Sequence, residues 1–432
     1  CLNQKEYLVA LMGAFLKGIT VIPYNFLLQP EDLIYITKDA GIDSIIVDSV
    51  FIKPETIPFL QTFKNIIVVG PTDPIKIGNN SLSYKTFLAN ADCTKAKVQH
   101  EKLDSIPDII LYTSGTTAKP KGVMLDESQF FANSQDTLTH IPITRDDRVI
   151  VALPLFHSFG NIMAMMVFMT GGTLILLKQF APKSILHNIE ERKATILPLV
   201  PTIYSFLIDL YARGNYDVSS LKYCISGGAA LPHSLLKKVE ETLQVSVIEG
   251  YGLTETSPVI AVNTFKDGSF PGSVGPVIPN LKLKIIDEAG NEKVSGEVGE
   301  IVVRGKTVMQ GYWNLPKETA KTITSDGWLK TGDLGHLDKE NRLFISAGRK
   351  KDLIIRAGEN ISPLAIENTL MNHPAIAEVA AVGISDERAG ERVKVFIVLR
   401  TDATTTESEL KSFCRKNLPA FMVPDHFQIM EE

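Results

Sequence analysis

Cysteine is scarce: no two of the four, Cys1, Cys93, Cys224 and Cys414, lie close enough to make a C-x-x-C pair. Neither a disulfide framework nor a zinc site is suggested, and a reducing compartment, the cytoplasm, fits this usage. Basic charge is not in excess. The 44 Lys and Arg against 49 Asp and Glu leave a formal charge of -5, without the cationic footprint of a nucleic-acid binder. An uninterrupted membrane-length apolar run is missing too. The most apolar stretch, 162–177, is cut by Thr170, Gly171, Gly172 and Thr173 and spells a helix, a turn and a strand. No signal-peptide pattern opens the sequence. Leu8, Leu11, Met12 and Phe15 fall instead at helical spacing and predict an amphipathic helix. Internal repeats, low-complexity tracts and the P-loop pattern G-x-x-x-x-G-K-[ST] are absent as well.

What remains is an ordinary globular composition, 44% hydrophobic and 22% charged, over 432 residues, enough for two or three domains. Short β-branched runs at 45–47, 66–69, 109–112, 149–153, 173–177, 195–200, 222–225 and 245–248 alternate with helical patterns. Such alternation predicts parallel sheets covered by helices. From 281 to 345 the strands shorten and are separated by Gly, Asp and Asn turns, as in a small antiparallel, barrel-like unit. Charge then concentrates at Arg349, Lys350, Lys351 and Asp352. Beyond it an α+β pattern follows, with helices expected near 364–371 and 407–417 and strands near 378–382 and 393–399. The expected organisation is a large α/β part, 1–347, made of two parallel-sheet subdomains plus a small antiparallel β-barrel-like subdomain at about 275–347. A hinge at 348–352 and a mobile α+β C-terminal domain, 353–432, complete it.

Residues 112–122 read YTSGTTAKPKG and follow the apolar run DIILY, which predicts a strand leading into a polar loop. Ser114, Thr116 and Thr117 supply hydroxyl donors, Gly115 and Gly122 let backbone amides approach an anion, and Lys119 and Lys121 bring positive charge. Polyphosphate is the ligand such chemistry suits; a plain Ser/Thr/Gly surface turn is the bland alternative. Residues 249–258, EGYGLTETSP, place Tyr251 between Gly250 and Gly252 at the end of a probable parallel strand, where ligands bind in open α/β sheets. A ring there can stack on a base, the Thr254 hydroxyl can bond phosphate, and Glu255 can hold Mg²⁺. Residues 226–232, SGGAALP, form a glycine-rich turn after a strand. His157, within LPLFHSFG, would ordinarily be a satisfied core residue, and Asp333, within a TGD turn, a cap of its own backbone.

These segments, in order, resemble the motifs of the acyl-adenylate-forming enzymes, the superfamily of acyl-CoA synthetases, peptide-synthetase adenylation domains and luciferases. The first motif departs only at Ala118, where the family usually has glycine. The resemblance implies ATP and Mg²⁺ as cofactors. It places the phosphates on the loop from Thr113 through Ser114, Gly115, Thr116, Thr117 and Lys119 to Lys121, and on Thr254, with the metal on Glu255. It sets adenine against Gly228, Ala229, Ala230 and Tyr251, and ribose on Asp333 with Arg349. It also implies His157 at the acyl carboxylate and Lys351 as the residue about which the C-terminal domain turns.

FHSFG, in place of an FDxS-like aspartate, favours a substrate without an α-amino group. The uninterrupted run 312–333 and IRAGENISP at 355–363 are similar to enzymes that use CoA, while GSVGPVIPN, VMQGYW and PLFHSFG look most like the medium- to long-chain fatty acyl branch. The implied partners are therefore a fatty acid, ATP and CoA. An acyl carrier protein is the alternative acceptor, a catalytically weak nucleotide- or acyl-binding protein the alternative class, and a lipid substrate adds peripheral contact with the inner membrane face. The family also has about seventy residues ahead of the first helix, which predicts that the sequence is a piece of a longer chain. After the last residue it has a Gly-Lys pair, whose lysine would supply about 3 to 4 kcal/mol of barrier lowering.

Overall fold

The structure, a computed structural model, describes residues 1–70, 77–78, 80–91, 106–113, 119–178, 180–349, 352–356, 359–386, 390–400 and 402–430, with the backbone alone at 347–349 and 360. The expected amphipathic helix is α1 (Lys5–Lys17), which buries Leu8, Leu11 and Phe15. After α2 (Pro30–Asp39), a first sheet of β1 (Ser44–Asp48), β2 (Asn65–Val69) and β3 (Ser81–Ser83) is parallel throughout, with α3 (Ile57–Leu60) and α4 (Tyr84–Ala89) between and after its strands.

One element departs from expectation. Strand β4 (Ile109–Thr113) does not feed a crossover helix; it turns back into β5 (Lys121–Leu125), antiparallel, with Thr113 opposite Lys121. The connection 114–120 is too short for a parallel crossover, which needs about a dozen residues or more, so only a hairpin can close it. Of the predicted phosphate loop, Ser114, Gly115, Thr116 and Thr117 lie outside the described residues.

Helix α5 (Glu127–Leu138) starts where the Gln129 side chain accepts from the Asp126 backbone N–H at 2.7 Å, the reciprocal arm of a capping box. The principal sheet follows: β6 (Arg148–Val151), α6 (Ser158–Thr170), β7 (Thr173–Leu176), α7 (Pro182–Arg192), β8 (Ile196–Leu199), α8 (Pro201–Tyr211), β9 (Tyr223–Ser226), α9 (His233–Leu243), β10 (Ser246–Gly252) and β11 (Val259–Val262). Its order is β11-β10-β9-β8-β6-β7, all parallel except β11. Strand alternation shares out the two faces. Val149, Val151, Ile225 and Ile248 pack with α5 and α6 in one cluster, while Ile150, Cys224 and Val247 pack with α7, α8 and α9 in another. Helix α6 ends on Gly171, whose φ of 73° is left-handed and lets the chain turn straight into β7.

The small antiparallel unit contains β12 (Gly275–Pro276), β13 (Leu281–Ile286) and β14 (Gly299–Gly305). Next, β15 (Gly311–Tyr312) crosses to pair with β5, followed by α10 (Pro316–Thr322). Strands β16 (Leu329–Leu337) and β17 (Arg342–Arg349) complete a sheet of order β12-β17-β16-β14-β13. The C-terminal residues form β18 (Ile354–Arg356), β19 (Glu359–Ile361), α11 (Pro363–Leu370), β20 (Ile376–Asp386), β21 (Gly390–Leu399), α12 (Glu407–Asn417) and β22 (His426–Met430) around a core of their own that includes Ile366, Ile376, Val395 and Leu410. Lys351 lies outside the described residues. Among the described residues, no helix is long and apolar enough to cross a membrane.

Candidate active site

The carboxyl ends of β9 and β10 open onto a cavity of about 780 Å³. Its inner end is apolar, walled by Ile141, Ile162, Met163, Met166, Ile225 and Val262. Helix α6 supplies Ile162, Met163 and Met166, and the segment after α5 supplies Ile141. Its mouth is polar, with Thr113, Lys121, Thr254, Glu255, Lys321 and Thr331 around it. Gly228, Gly250, Tyr251 and Gly252 form a third wall. At Gly252 a Cβ would stand 2.0 Å from the Pro258 carbonyl, so only glycine lets β10 pass close enough to present Thr254 and Glu255 to the cavity.

A chain of contacts joins the charged groups. The Lys121 ammonium is 2.8 Å from Glu318 Oε2 and 5.3 Å from the centroid of the Tyr312 ring. The Tyr312 hydroxyl in turn donates to Glu255 Oε1 at 2.9 Å. One tyrosine therefore spaces a cation from an acid, and β15 positions it by pairing Tyr312 with Val123 beside the phosphate hairpin. The hairpin base is anchored on α2: the Tyr112 hydroxyl donates to Asp39 Oδ2 at 2.6 Å and Trp313 Nε1 to the Asp39 carbonyl at 2.9 Å.

His157, which also lines the cavity, is the N-cap residue of α6. Its ring is exposed by area yet enclosed by protein on most sides, and desolvation lowers its pKa below that of free imidazole. Beside it, Ser158 Oγ lies 3.4 Å from Thr254 Oγ1.

Several expected site residues therefore converge: Thr113, Lys121, His157, Gly228, Gly250, Tyr251, Gly252, Thr254 and Glu255 all face one cavity. Others do not. The Lys119 ammonium lies 4.9 Å above the Tyr35 ring and is drawn to that π face, away from the cavity wall. Ala229 and Ala230 are exposed and do not line the cavity. Asp333 is 6% exposed and stands behind the wall; its Oδ2 accepts from the Tyr251 hydroxyl at 2.5 Å, so it reaches the site through Tyr251. Arg349 is opposite Asp333 in the β16–β17 register.

Sequence reasoning missed Lys321, Tyr312 and Glu318 as site residues. It also missed Glu249, a carboxyl 8% exposed on β10 whose Oε1 accepts from the Leu231 N–H at 3.2 Å and whose pKa burial raises to about 7. No periodicity marks these four. All four stood within segments that carried a resemblance, Glu249 in EGYGLTETSP, Tyr312 in VMQGYW, and Glu318 and Lys321 in the run 312–333, but none was singled out there.

The donor set decides which groups fit. Among the described residues no cluster of three His, Cys, Asp or Glu could cage a metal. Glu255, with one oxygen held by Tyr312, instead suits a hard cation that keeps its waters and shares the phosphates of a nucleotide, as Mg²⁺ does. Hydroxyls, an ammonium and a close-approach backbone suit the phosphates themselves.

A parallel sheet with its cavity at the strand ends, cations and a hard carboxylate at the mouth and a greasy interior, defines a nucleotide-dependent enzyme that also receives an apolar group. Comparison with known proteins narrows the class. The family described as AMP-binding enzyme matches residues 1–313, and the AMP-binding enzyme C-terminal domain matches 365–432. The chain belongs to the AMP-binding enzyme family. It is 35% identical over 455 residues to a long-chain-fatty-acid–CoA ligase of Bacillus subtilis, a match covering 100% of this chain and 81% of that protein. It is 30% identical over 460 residues to a protein of the same name from Escherichia coli O157:H7, again covering 100% and 81%. Among solved structures, ATP-bound MatB from Rhodopseudomonas palustris superposes with a TM-score of 0.85 at 28% identity, covering 100% of this chain and 83% of that one. O-succinylbenzoate coenzyme A synthetase from Bacillus subtilis with ATP and magnesium ion gives 0.82 at 28%, covering 99% and 84%.

Proposed function

We propose that this protein activates a fatty acid. The acid's carboxylate oxygen attacks the α-phosphorus of ATP, the bond to the β-phosphate oxygen breaks, and pyrophosphate leaves. The CoA thiolate then attacks the acyl carbon, forming the thioester and releasing AMP. The observation that carries this reading is the cavity itself: one space is lined both by apolar side chains such as Ile162, Met163 and Met166 and by Lys121, Thr254, Glu255 and His157. The similarity to ligases named for long-chain fatty acids and CoA supports the same substrate class.

Two anions must meet, so the work of this site is positioning and charge neutralisation. The Lys121 ammonium and the Thr254 hydroxyl hold phosphate oxygens. Tyr251 and the backbone at Gly228 face the base, and Asp333, through Tyr251 and with Arg349, steadies the ribose. His157, whose pKa desolvation lowers, contacts the incoming carboxylate. Glu255 would hold Mg²⁺, which would supply charge neutralisation for the triphosphate. Burial of the apolar chamber keeps water from the reactive mixed anhydride. Met163 and Met166, unbranched and adaptable, let the chamber yield to an alkyl chain. In this reading the unit 353–432 turns about 348–352, with Lys351 as the hinge residue, to admit CoA after pyrophosphate has left.

Acid-dependent exchange of labelled pyrophosphate into ATP, run across a ladder of carboxylic acids, tests the first half. Offering CoA and a holo acyl carrier protein in parallel tests the second; turnover with the carrier alone would reassign the acceptor. Sedimentation with anionic vesicles reads the companion proposal of peripheral membrane contact.

A further inference from the structure

The mouth of the cavity holds a cation that these roles leave unused. Lys321, in the last turn of α10, lines it together with Lys121 and Thr322. Between the two lysines stands Glu318. Its Oε2 is 2.8 Å from the Lys121 ammonium and its Oε1 is 2.8 Å from that of Lys321, so each carboxylate oxygen serves a different lysine. The two lysines come from different elements, the phosphate hairpin and α10, and a single carboxylate draws them to one wall. Both ammonium groups hold the Glu318 carboxyl at about 2, well below the usual glutamate range, so it stays ionised at any working pH.

At this point one carboxylate faces two ammonium groups, in a cavity whose lining also holds Thr113, Glu255, Glu300 and Lys330. A diphosphate carries more charge than a carboxylate and has oxygens enough to engage both lysines at once. A lysine placed only to stabilise α10 would have no reason to face the cavity, and an i,i+3 pair gains little when its lysine is 73% exposed.

We propose that Lys321 is a binding residue for the departing pyrophosphate, and that Glu318 is the positioning residue that gathers Lys321 and Lys121 before the nucleotide arrives and takes them back as the diphosphate leaves. This rests on the reading of the cavity as an ATP site. It adds a second cation to the leaving group's side and gives release a built-in competitor, since the same oxygens that pre-arrange the lysines compete with the product for them.

The experiment titrates inorganic pyrophosphate with Mg²⁺ into the whole protein by calorimetry and, in parallel, varies pyrophosphate in the acid-dependent exchange. K321A should weaken pyrophosphate binding about three- to fivefold at low salt, the size of one partly screened ion pair, and the difference should shrink as salt is added. Half-saturation for the acid should not move, and K321R should restore most of the loss. K317A, which removes an exposed lysine of the same helix that is not in the wall, should match the unaltered protein. E318Q should tighten pyrophosphate binding, the opposite sign to K321A. Unchanged binding in K321A, an equal loss in K317A, or weaker binding in E318Q overturns the inference. Should exchange be absent with every acid while K321A still weakens pyrophosphate binding, the ligase reading fails and this one stands.

Discussion

At the scale of single residues the account turns on the relay Lys121, Tyr312, Glu255. Replacing Glu255 by Gln keeps the shape and removes the charge; acid-dependent exchange should fall about a hundred- to a thousandfold, the range for one preorganised electrostatic group. A residual rate within tenfold of the unaltered enzyme would remove Glu255 from the centre of the mechanism. Tyr312→Phe leaves the ring under Lys121 and deletes only the hydroxyl that donates to Glu255 at 2.9 Å. Exchange should drop about tenfold, as for loss of a hydrogen bond to a charged group, with a higher Mg²⁺ requirement in titrations of the metal. Glu249 makes a prediction about pH. Burial raises its pKa to about 7 from an ordinary 4.5, so between those values the folded protein holds a proton that the unfolded chain has lost. Stability from this group is full below about 4.5 and is lost as pH rises through about 7, a swing on the order of 3 kcal/mol. Glu249→Gln keeps an acceptor for the Leu231 N–H and cannot ionise. Its urea midpoint should therefore vary less between pH 5 and 8, and at pH 8 should exceed that of the unaltered protein; parallel pH profiles would contradict this. Of these residues Lys121 and Glu255 were legible in the sequence, the one in a hydroxyl- and glycine-rich loop and the other three positions beyond a Gly-Tyr-Gly turn, where a carboxylate has chemistry of its own. Tyr312 and Glu318 act through Glu255 and Lys121, partners distant in sequence and joined only by the fold, and Lys321 joins them through Glu318 on its own helix.

At the scale of elements, many strands and a few helices followed from periodicity. The helix expected at 407–417 is α12 to the residue, fixed at its start by a reciprocal Thr406–Glu409 cap. The strand runs at 45–47, 66–69 and 173–177 lie within a residue of β1, β2 and β7. The hairpin β4–β5 was not legible: an apolar run such as 109–112 carries no mark of its pairing direction, and KGVML at 121–125 was hidden by the loop signature that overlaps it. That hairpin matters, since its register puts Thr113 opposite Lys121 and so fixes both on the cavity wall. The close pass of β10 is the other element-scale constraint. Gly252→Ala would drive a methyl into the Pro258 carbonyl and shift the 254–256 turn; activity should fall more than tenfold while the far-ultraviolet circular dichroism stays near that of the unaltered protein. Retained activity would mean that Thr254 and Glu255 are not held by this contact.

At the scale of the whole molecule, the α/β class, the change to antiparallel strands after 275 and the separate α+β core at the C-terminal end were all visible as changes of pattern along the chain. The union of hairpin, α10 and strand ends around one cavity was not, because it depends on packing between elements up to two hundred residues apart. The central claim is that this shared cavity is where a carboxylic acid meets the α-phosphate of ATP. The most direct measurement is acid-dependent pyrophosphate–ATP exchange across fatty acids of increasing length, followed by addition of CoA. The account predicts exchange that requires both a fatty acid and Mg²⁺, collapses in Glu255→Gln, and gives way to acyl-CoA and AMP once the thiol is present. No exchange with any acid, or release of ADP and phosphate instead of AMP and pyrophosphate, would contradict it.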